Sequence, residues 1–292
     1  MSSQISFKYS FLQNIIMKEK TIWDSIEETQ TIFIEKDVFK VEFVPETIKH
    51  RTEQIKKILY NVKGNLDDHK KPYHMIIKGS YATGKTLTIN YIFSEVEKRY
   101  PKAKAVHINC KNYKTQYEVY LKIYEKLFNK NMGVGGLSTF TLLNKIIKEI
   151  VKKNLILLVA LDDIGSVKSD KDLNNILYNL LRATETNKDA KITLFSVTND
   201  KTIVFLDDNV RTVFNGIDVD FPNYTYNQIH DIINKRCRLG LYEGAISDDI
   251  IKDIAKFTHN HGDLRKAFDE IYKAGYNAEY EGCHKILKRH FN

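Results

Sequence analysis

The chain has 292 residues, 42% of them hydrophobic and 28% charged, with a formal net charge of +8. This length can bury a substantial core and suits a large domain with a smaller one, while 4 prolines and 13 glycines exclude collagen-like and low-complexity chains. The 3 cysteines (Cys110, Cys237 and Cys283) lack the spacing of a disulfide framework. No apolar run reaches the roughly 20 residues that span a bilayer. We therefore expect a cytoplasmic protein without a membrane partner.

The basic surplus favours polyanionic ligands such as nucleic acid. Lys and Arg side chains contact phosphates and release bound counterions, so a net charge of +8 supports this kind of binding. Lysine-rich solvated faces are also common in proteins that bind no polyanion. Charge alone leaves both possibilities open.

Short apolar runs alternate with helical patterns through the first three quarters of the chain, which predicts a parallel sheet wrapped by helices. The runs are Tyr73–Lys78, Ala105–Asn109, Leu155–Asp162, Ile192–Thr198 and Ile217–Phe221. The third run is apolar at every position before its acidic end, so we predict it near the middle of the sheet. Ahead of the first run, an amphipathic helix is predicted from Ile55, Ile58, Leu59 and Val62.

A phosphate-binding motif follows the first predicted strand. Gly79-Ser-Tyr-Ala-Thr-Gly-Lys-Thr86 fits G-x-x-x-x-G-K-S/T and opens the predicted helix Thr86–Arg99. Its glycines let backbone N–H groups surround phosphates at a helix N-terminus. Lys85 would reach the β- and γ-phosphates, and the Thr86 hydroxyl would bind Mg²⁺. The predicted cofactors are ATP or ADP with Mg²⁺, bound by Gly79, Ser80, Tyr81, Ala82, Thr83, Gly84, Lys85, Thr86 and Leu87.

Polar side chains end the third and fourth strands of the predicted sheet. Asp162 ends the buried third strand and Asp163 follows it. Asp162 would join Thr86 in holding Mg²⁺, directly or through water, and Asp163 would orient the attacking water. An ordinary polar strand cap is the alternative. Asn199 ends the fourth strand, at the edge that faces the phosphates, and would position water or the γ-phosphate. Its alternative is a turn residue.

After Pro222 only helical periodicity remains, and it predicts a helical domain of about 70 residues. Arg265 stands at the start of one of its helices. This arginine could read the γ-phosphate and couple hydrolysis to domain rotation, or it could be a solvated helix-start residue. The predicted organisation is an N-terminal extension (1–31), a nucleotide-binding domain (32–222) and a helical lid (223–292).

These segments resemble one family, the archaeal origin-recognition and helicase-loading initiators of the AAA+ ATPases, from about Ile32 to the C-terminus. The similar segments are Phe33 to Pro45, His50–Gln54, Asn109–Val119, Gly136–Ser138, Leu177–Arg182, Phe221–Tyr224 and Gly262–Arg265. The resemblance implies an α/β fold, in which an αβα AAA+ sandwich around a parallel sheet precedes an all-helical lid. It also implies that Val44 and Pro45 lie near adenine, and that an insertion around Asn131–Phe140 touches duplex DNA.

The chain departs from the family pattern at three places. Asp163 replaces the usual glutamate, which would slow hydrolysis while ATP binding survives. Asn209 stands where the family offers an arginine finger to a neighbouring subunit, and Arg211 follows two residues later as its possible substitute. The sequence ends at Asn292, before the family's winged-helix domain could fold, so we expect the strongest DNA-reading element to be missing.

The sequence thus predicts a slow ATPase whose nucleotide switches DNA or partner binding. The resemblance implies as partners duplex DNA, bound weakly, further copies or another AAA+ initiator subunit, and a replicative helicase, at the nucleoid. Two rivals remain open. One is a mobile-element or plasmid regulator ATPase. The other is a nucleotide-locked, non-hydrolysing adaptor that holds ADP structurally and assembles with a full-length initiator.

Overall fold

The computed structural model describes residues 32–67, 73–129, 137–198, 207–214 and 216–291. Its sheet has five parallel strands in the order β2-β3-β4-β1-β5. The strands are β1 (His74–Lys78), β2 (Ala103–Asn109), β3 (Ile156–Asp162), β4 (Lys191–Thr198) and β5 (Gly216–Asp220). The predicted α/β fold with a parallel sheet is confirmed. The third strand is an interior strand between β2 and β4, and β4 holds the central position.

Helices connect and follow these strands. In chain order they are α1 (Thr52–Asp67), α2 (Lys85–Arg99), α3 (Gln116–Phe128), α4 (Thr139–Lys152), α5 (Asp170–Thr186), α6 (Asp208–Val213), α7 (Tyr226–Gly240), α8 (Asp248–His261) and α9 (Leu264–Tyr280). The predicted helix after the phosphate-binding loop is present and begins one residue earlier, at Lys85. Among the described residues, no helix is both long and apolar enough to cross a membrane.

The sheet separates two apolar cores because successive side chains of a strand face opposite sides. Leu157, Val159 and Leu161 of β3 pack in one core with α3, α4 and α5. Leu158 and Ala160 pack in the other core with α1 and α2. This two-sided burial explains the uninterrupted apolar sequence of β3, and it places the acidic end of that strand at the sheet edge where α2 begins.

Side-chain capping sets where the helices α3, α4 and α5 begin. Thr115 accepts a hydrogen bond from the Glu118 N–H, while the Glu118 carboxylate accepts one from the Thr115 N–H, so the two residues form a capping box for α3. Ser138 and Ser169 cap α4 and α5 in a simpler way, through their hydroxyl oxygens. These caps fix the first residues of the three helices that pack against β3, the strand that ends in the acidic motif.

Two compact units divide the described chain. One unit contains 42–229 and 258–264, which includes the whole sheet; the other contains 32–41, 230–257 and 265–291. Within the second unit, a Cβ on Gly275 would lie 2.4 Å from the Phe33 ring, and Arg236 donates to the Val38 carbonyl at 2.6 Å. Residues 32–41 thus pack with the C-terminal helices. The boundaries 32–222 and 223–292 stay a sequence prediction.

Candidate nucleotide-binding site

The loop between β1 and α2 has positive φ angles at both of its glycines, Gly79 and Gly84. Gly79 has φ +149°, and a Cβ there would lie 2.3 Å from the Phe221 carbonyl oxygen, while Gly84 has φ +84°. Lys85 Nζ donates to the carbonyls of Gly79 at 2.5 Å and Ser80 at 2.7 Å. The loop therefore curls around its own lysine at the start of α2, where helix N–H groups attract anions.

Asp162 is held by hydrogen bonds from three directions. Its Oδ2 accepts from Thr86 Oγ1 at 2.6 Å and is 3.0 Å from His107 Nε2, while its Oδ1 accepts from the Asp163 N–H at 3.0 Å. Burial acts to raise the pKa of Asp162, but the hydrogen bonds from His107 and Thr86 outweigh it and hold this pKa below its ordinary value. The carboxylate is thus ionised and oriented beside the Thr86 hydroxyl.

Asp163 faces a cation. Its backbone is left-handed, with φ 53° and ψ 50°, and its Oδ2 lies 3.0 Å from Lys111 Nζ. The same ammonium lies 5.5 Å from the ring centre of Tyr81 in the phosphate-binding loop. The Cys110 N–H donates to the Asp162 carbonyl at 2.8 Å, which brings the end of β2 beside the end of β3. Lys111 therefore stands next to the acidic motif.

A buried arginine ties the phosphate-binding loop to the segment that follows β5. Arg51 is 2% exposed and donates to the carbonyls of Thr83 at 2.9 Å and Pro222 at 2.7 Å. Its guanidinium stacks on Tyr224, 3.7 Å from the ring centre, and the Tyr224 hydroxyl would lie 2.6 Å from a Cβ on Gly84. The sequence analysis placed Arg51, Lys111 and Tyr224 in segments that resemble the family but gave none of them an individual role, and it did not single out His107. All four act through contacts between distant segments.

The other predicted site residues are placed as follows. Val44 is 39% exposed in the irregular stretch before α1, and Pro45 beside it is half-buried. Leu87 lies in the first turn of α2, partly buried. Arg265 is exposed in the first turn of α9, in the second compact unit. Its role stays a prediction.

Some predicted positions fall outside what the structure describes. Asn199 directly follows β4 but lies outside the described residues, as do residues 131–136 of the predicted DNA-contacting insertion. Arg211 lies in α6, and its side chain is likewise outside the described part of the chain. These three predictions stay predictions.

The converging groups suit a nucleotide with its metal. A hydroxyl and a carboxylate are the oxygen ligands that Mg²⁺ prefers, and Thr86 Oγ1 lies 2.6 Å from Asp162 Oδ2. Lys85, buried on loop carbonyls, is placed to exchange these contacts for phosphate oxygens. Thr86 and Asp162 would hold the ion, and the loop with Lys85 would hold the phosphates.

Comparisons with known proteins agree with this arrangement. Residues 68–199 match the family described as the AAA domain, and residues 230–292 match the Cdc6 AAA+ ATPase-type lid domain. The ORC1-type DNA replication protein 2 of Methanosarcina mazei is 32% identical over 267 residues, which are 91% of this chain and 70% of that protein.

Solved structures show the same fold. Cdc6p from Pyrobaculum aerophilum superposes with a TM-score of 0.76 at 27% identity, over 87% of this chain and 69% of that one. The Aeropyrum pernix ORC1 protein, solved in complex with DNA, gives a TM-score of 0.79 at 23% identity, over 89% of this chain and 68% of that one.

The parallel sheet, the phosphate-binding loop after β1 and the acidic end of β3 define an AAA+ protein. Within this class, the chain belongs to the archaeal ORC1-type DNA replication initiator family. The resemblance read from the sequence is confirmed.

Proposed function

We propose that this initiator-family protein binds ATP with Mg²⁺ at the β1–α2 loop, hydrolyses it slowly, and uses the bound nucleotide to control DNA or partner binding. The hydrogen bond between Thr86 and Asp162, at 2.6 Å, carries the proposal most directly. It joins a residue of the phosphate-binding loop to the acidic motif 76 positions later, as a shared metal site requires.

Each residue has a separate task in this proposal. Lys85 supplies positive charge to the β- and γ-phosphates, and Thr86 with Asp162 fixes the metal that neutralises the phosphates. Asp163 orients the attacking water, with Asn199 as a further polar group at the neighbouring strand end. Arg265 would read the γ-phosphate from the lid, and Arg211 would serve a neighbouring subunit.

Calorimetry of ATP and ADP binding in the presence of Mg²⁺ tests the nucleotide site. Lys85→Ala removes the charged group of the loop, so we expect ATP affinity to fall by at least about 10-fold, the loss of one charge-assisted contact. Lys98→Ala is the matched control, because Lys98 lies in the last turn of the same helix, with its side chain 68% exposed and 3.0 Å from Glu95. Unchanged ATP affinity in folded Lys85→Ala would overturn the site.

The ion pair at the acidic motif favours a second candidate function. Lys111 Nζ lies 3.0 Å from Asp163 Oδ2 and competes with water for that carboxylate. A protein that held ATP in this state without turnover would act as a nucleotide-locked adaptor. Release of phosphate, measured with and without DNA, separates the two functions: multiple turnovers support the slow ATPase, and bound ATP that persists supports the adaptor.

Membership of the initiator family supports duplex DNA and other AAA+ initiator subunits as partners, with self-association and the replicative helicase as further proposals. The net charge of +8 is consistent with phosphate contacts. We expect weak duplex binding that declines steeply between low and physiological salt. Affinity that does not change with salt would contradict the electrostatic basis. Footprinting on origin and mobile-element DNA distinguishes an initiator from an element regulator.

A further inference from the structure

The side chain of His107 contacts the carboxylate that is assigned to the metal. His107 belongs to β2, and its Nε2 lies 3.0 Å from Asp162 Oδ2. In the register of the β2–β3 pair, His107 lies opposite Ala160, which is two residues before Asp162. Ala105 and Ala160 pack in the core on the α2 side of the sheet, so His107 and Asp162, each two residues further along its strand, are on that side too.

Two donors share one oxygen of Asp162. Oδ2 accepts from Thr86 Oγ1 at 2.6 Å and meets His107 Nε2 at 3.0 Å, while the Asp163 N–H contacts Oδ1. Thr86 is itself a proposed metal ligand, and the Asp163 N–H belongs to the adjacent residue. His107 is therefore the partner that comes from a different strand and is neither a proposed metal ligand nor a chain neighbour of Asp162.

Core packing does not account for the imidazole. Its side chain is 22% exposed, whereas that of Asp162 is 5% exposed. His107 lines a groove of about 490 Å³ between α2 and β2, together with Asn90, Phe93, Ser94, Glu97, Lys98 and Ala105. A side chain at the wall of such a groove can be replaced without leaving a buried cavity.

We propose that His107 is a positioning residue for the magnesium ligand: through Nε2–H it holds Asp162 Oδ2 in the orientation that binds the metal beside Thr86. The inference rests on the proposed nucleotide site. Hydrogen-bonding partners of metal ligands fix ligand orientation, and their loss typically lowers metal affinity by about 10–100-fold.

Three substitutions separate positioning from a purely structural role. His107→Leu removes the donor and replaces the imidazole with an apolar side chain of similar size. His107→Gln supplies an amide N–H at nearly the reach of the imidazole Nε2, and His107→Asn supplies the same group one methylene short. The measurement is binding of a non-hydrolysable ATP analogue by calorimetry, over a range of Mg²⁺ concentrations and in the presence of EDTA.

We expect His107→Leu and His107→Asn to raise the Mg²⁺ concentration for half-maximal binding by about 10-fold. His107→Gln should restore most of that loss, and analogue affinity in EDTA should stay within about twofold for all variants. If the leucine variant fails to fold, the Gln and Asn comparison decides the matter.

An unchanged Mg²⁺ dependence in the Leu and Asn variants would overturn the inference, as would a loss of equal size in EDTA. Glutamine as damaging as leucine would also overturn it. Failure of the proposed function itself is distinguishable, because then the unmodified protein shows no Mg²⁺-dependent binding of the analogue.

Discussion

Replacement of Arg51 by alanine tests how the phosphate-binding loop is anchored. The side chain is 2% exposed and donates to the carbonyls of Thr83 and Pro222, which lie 32 and 171 positions away, and to the carbonyl of neighbouring His50 at 3.0 Å. Arg51→Ala removes these donors and leaves the carbonyls in place. The loop and the segment after β5 then lose their common anchor.

The magnitude follows from these contacts. Hydrogen bonds from a charged donor contribute about 1.5–3 kcal/mol each, so the bonds to Thr83 and Pro222 together contribute about 3–6 kcal/mol. Stacking on Tyr224, at 3.7 Å from the ring centre, adds to this. Burial of the guanidinium opposes it, and the same burial lowers the pKa of Arg51. We expect Arg51→Ala to reduce the free energy of unfolding by about 3–4 kcal/mol, a balance of these terms.

Urea denaturation monitored by circular dichroism gives the free energy of unfolding and the m-value. Lys56→Ala is a suitable control, because Lys56 lies in α1, the helix that begins directly after Arg51, and its side chain is 71% exposed. This substitution should change stability by less than about 0.5 kcal/mol. A loss below about 1 kcal/mol for Arg51→Ala, at an unchanged m-value, would refute the anchoring role.

Asp163→Glu should raise the ATP turnover rate and leave ATP affinity nearly unchanged, because the added methylene carries the carboxylate towards the attacking water; a rate at or below that of the unmodified protein contradicts this. Asp162→Ala should weaken Mg²⁺-dependent ATP binding in calorimetry, and binding that keeps its Mg²⁺ dependence would remove Asp162 from the metal site. Thr115→Ala should lower the free energy of unfolding by about 1 kcal/mol in urea denaturation, through loss of the α3 cap; no change would show that the cap is dispensable. The hydrogen bond from the Thr115 backbone lowers the pKa of Glu118 below its ordinary value of 4.5. The stabilisation that the Glu118 carboxylate contributes is therefore complete above pH 4.5 and disappears as the pH falls through the lowered pKa. Glu118→Gln should abolish this pH dependence of the free energy of unfolding.

The amino-acid sequence by itself determined the elements whose signals are local. The phosphate-binding loop occupies eight consecutive residues, Gly79 to Thr86, between a strand and a helix, so its glycines, lysine and threonine were recognisable without any distant contact. The apolar run of β3 likewise indicated a strand buried on both faces. Because parallel strands end at one edge, Asp162 could be assigned to the same site as Thr86.

The tertiary structure alone decided the contacts that join distant segments. Arg51 reaches Pro222 across 171 positions, and His107 reaches Asp162 across 55. Lys111 meets Asp163 only because β2 pairs with β3. Residues 32–41 pack in one compact unit with the C-terminal helices, which lie about 190 or more positions later in the chain. No periodicity or motif encodes such pairs, since each depends on how strands align and on which helix faces meet once the chain has folded.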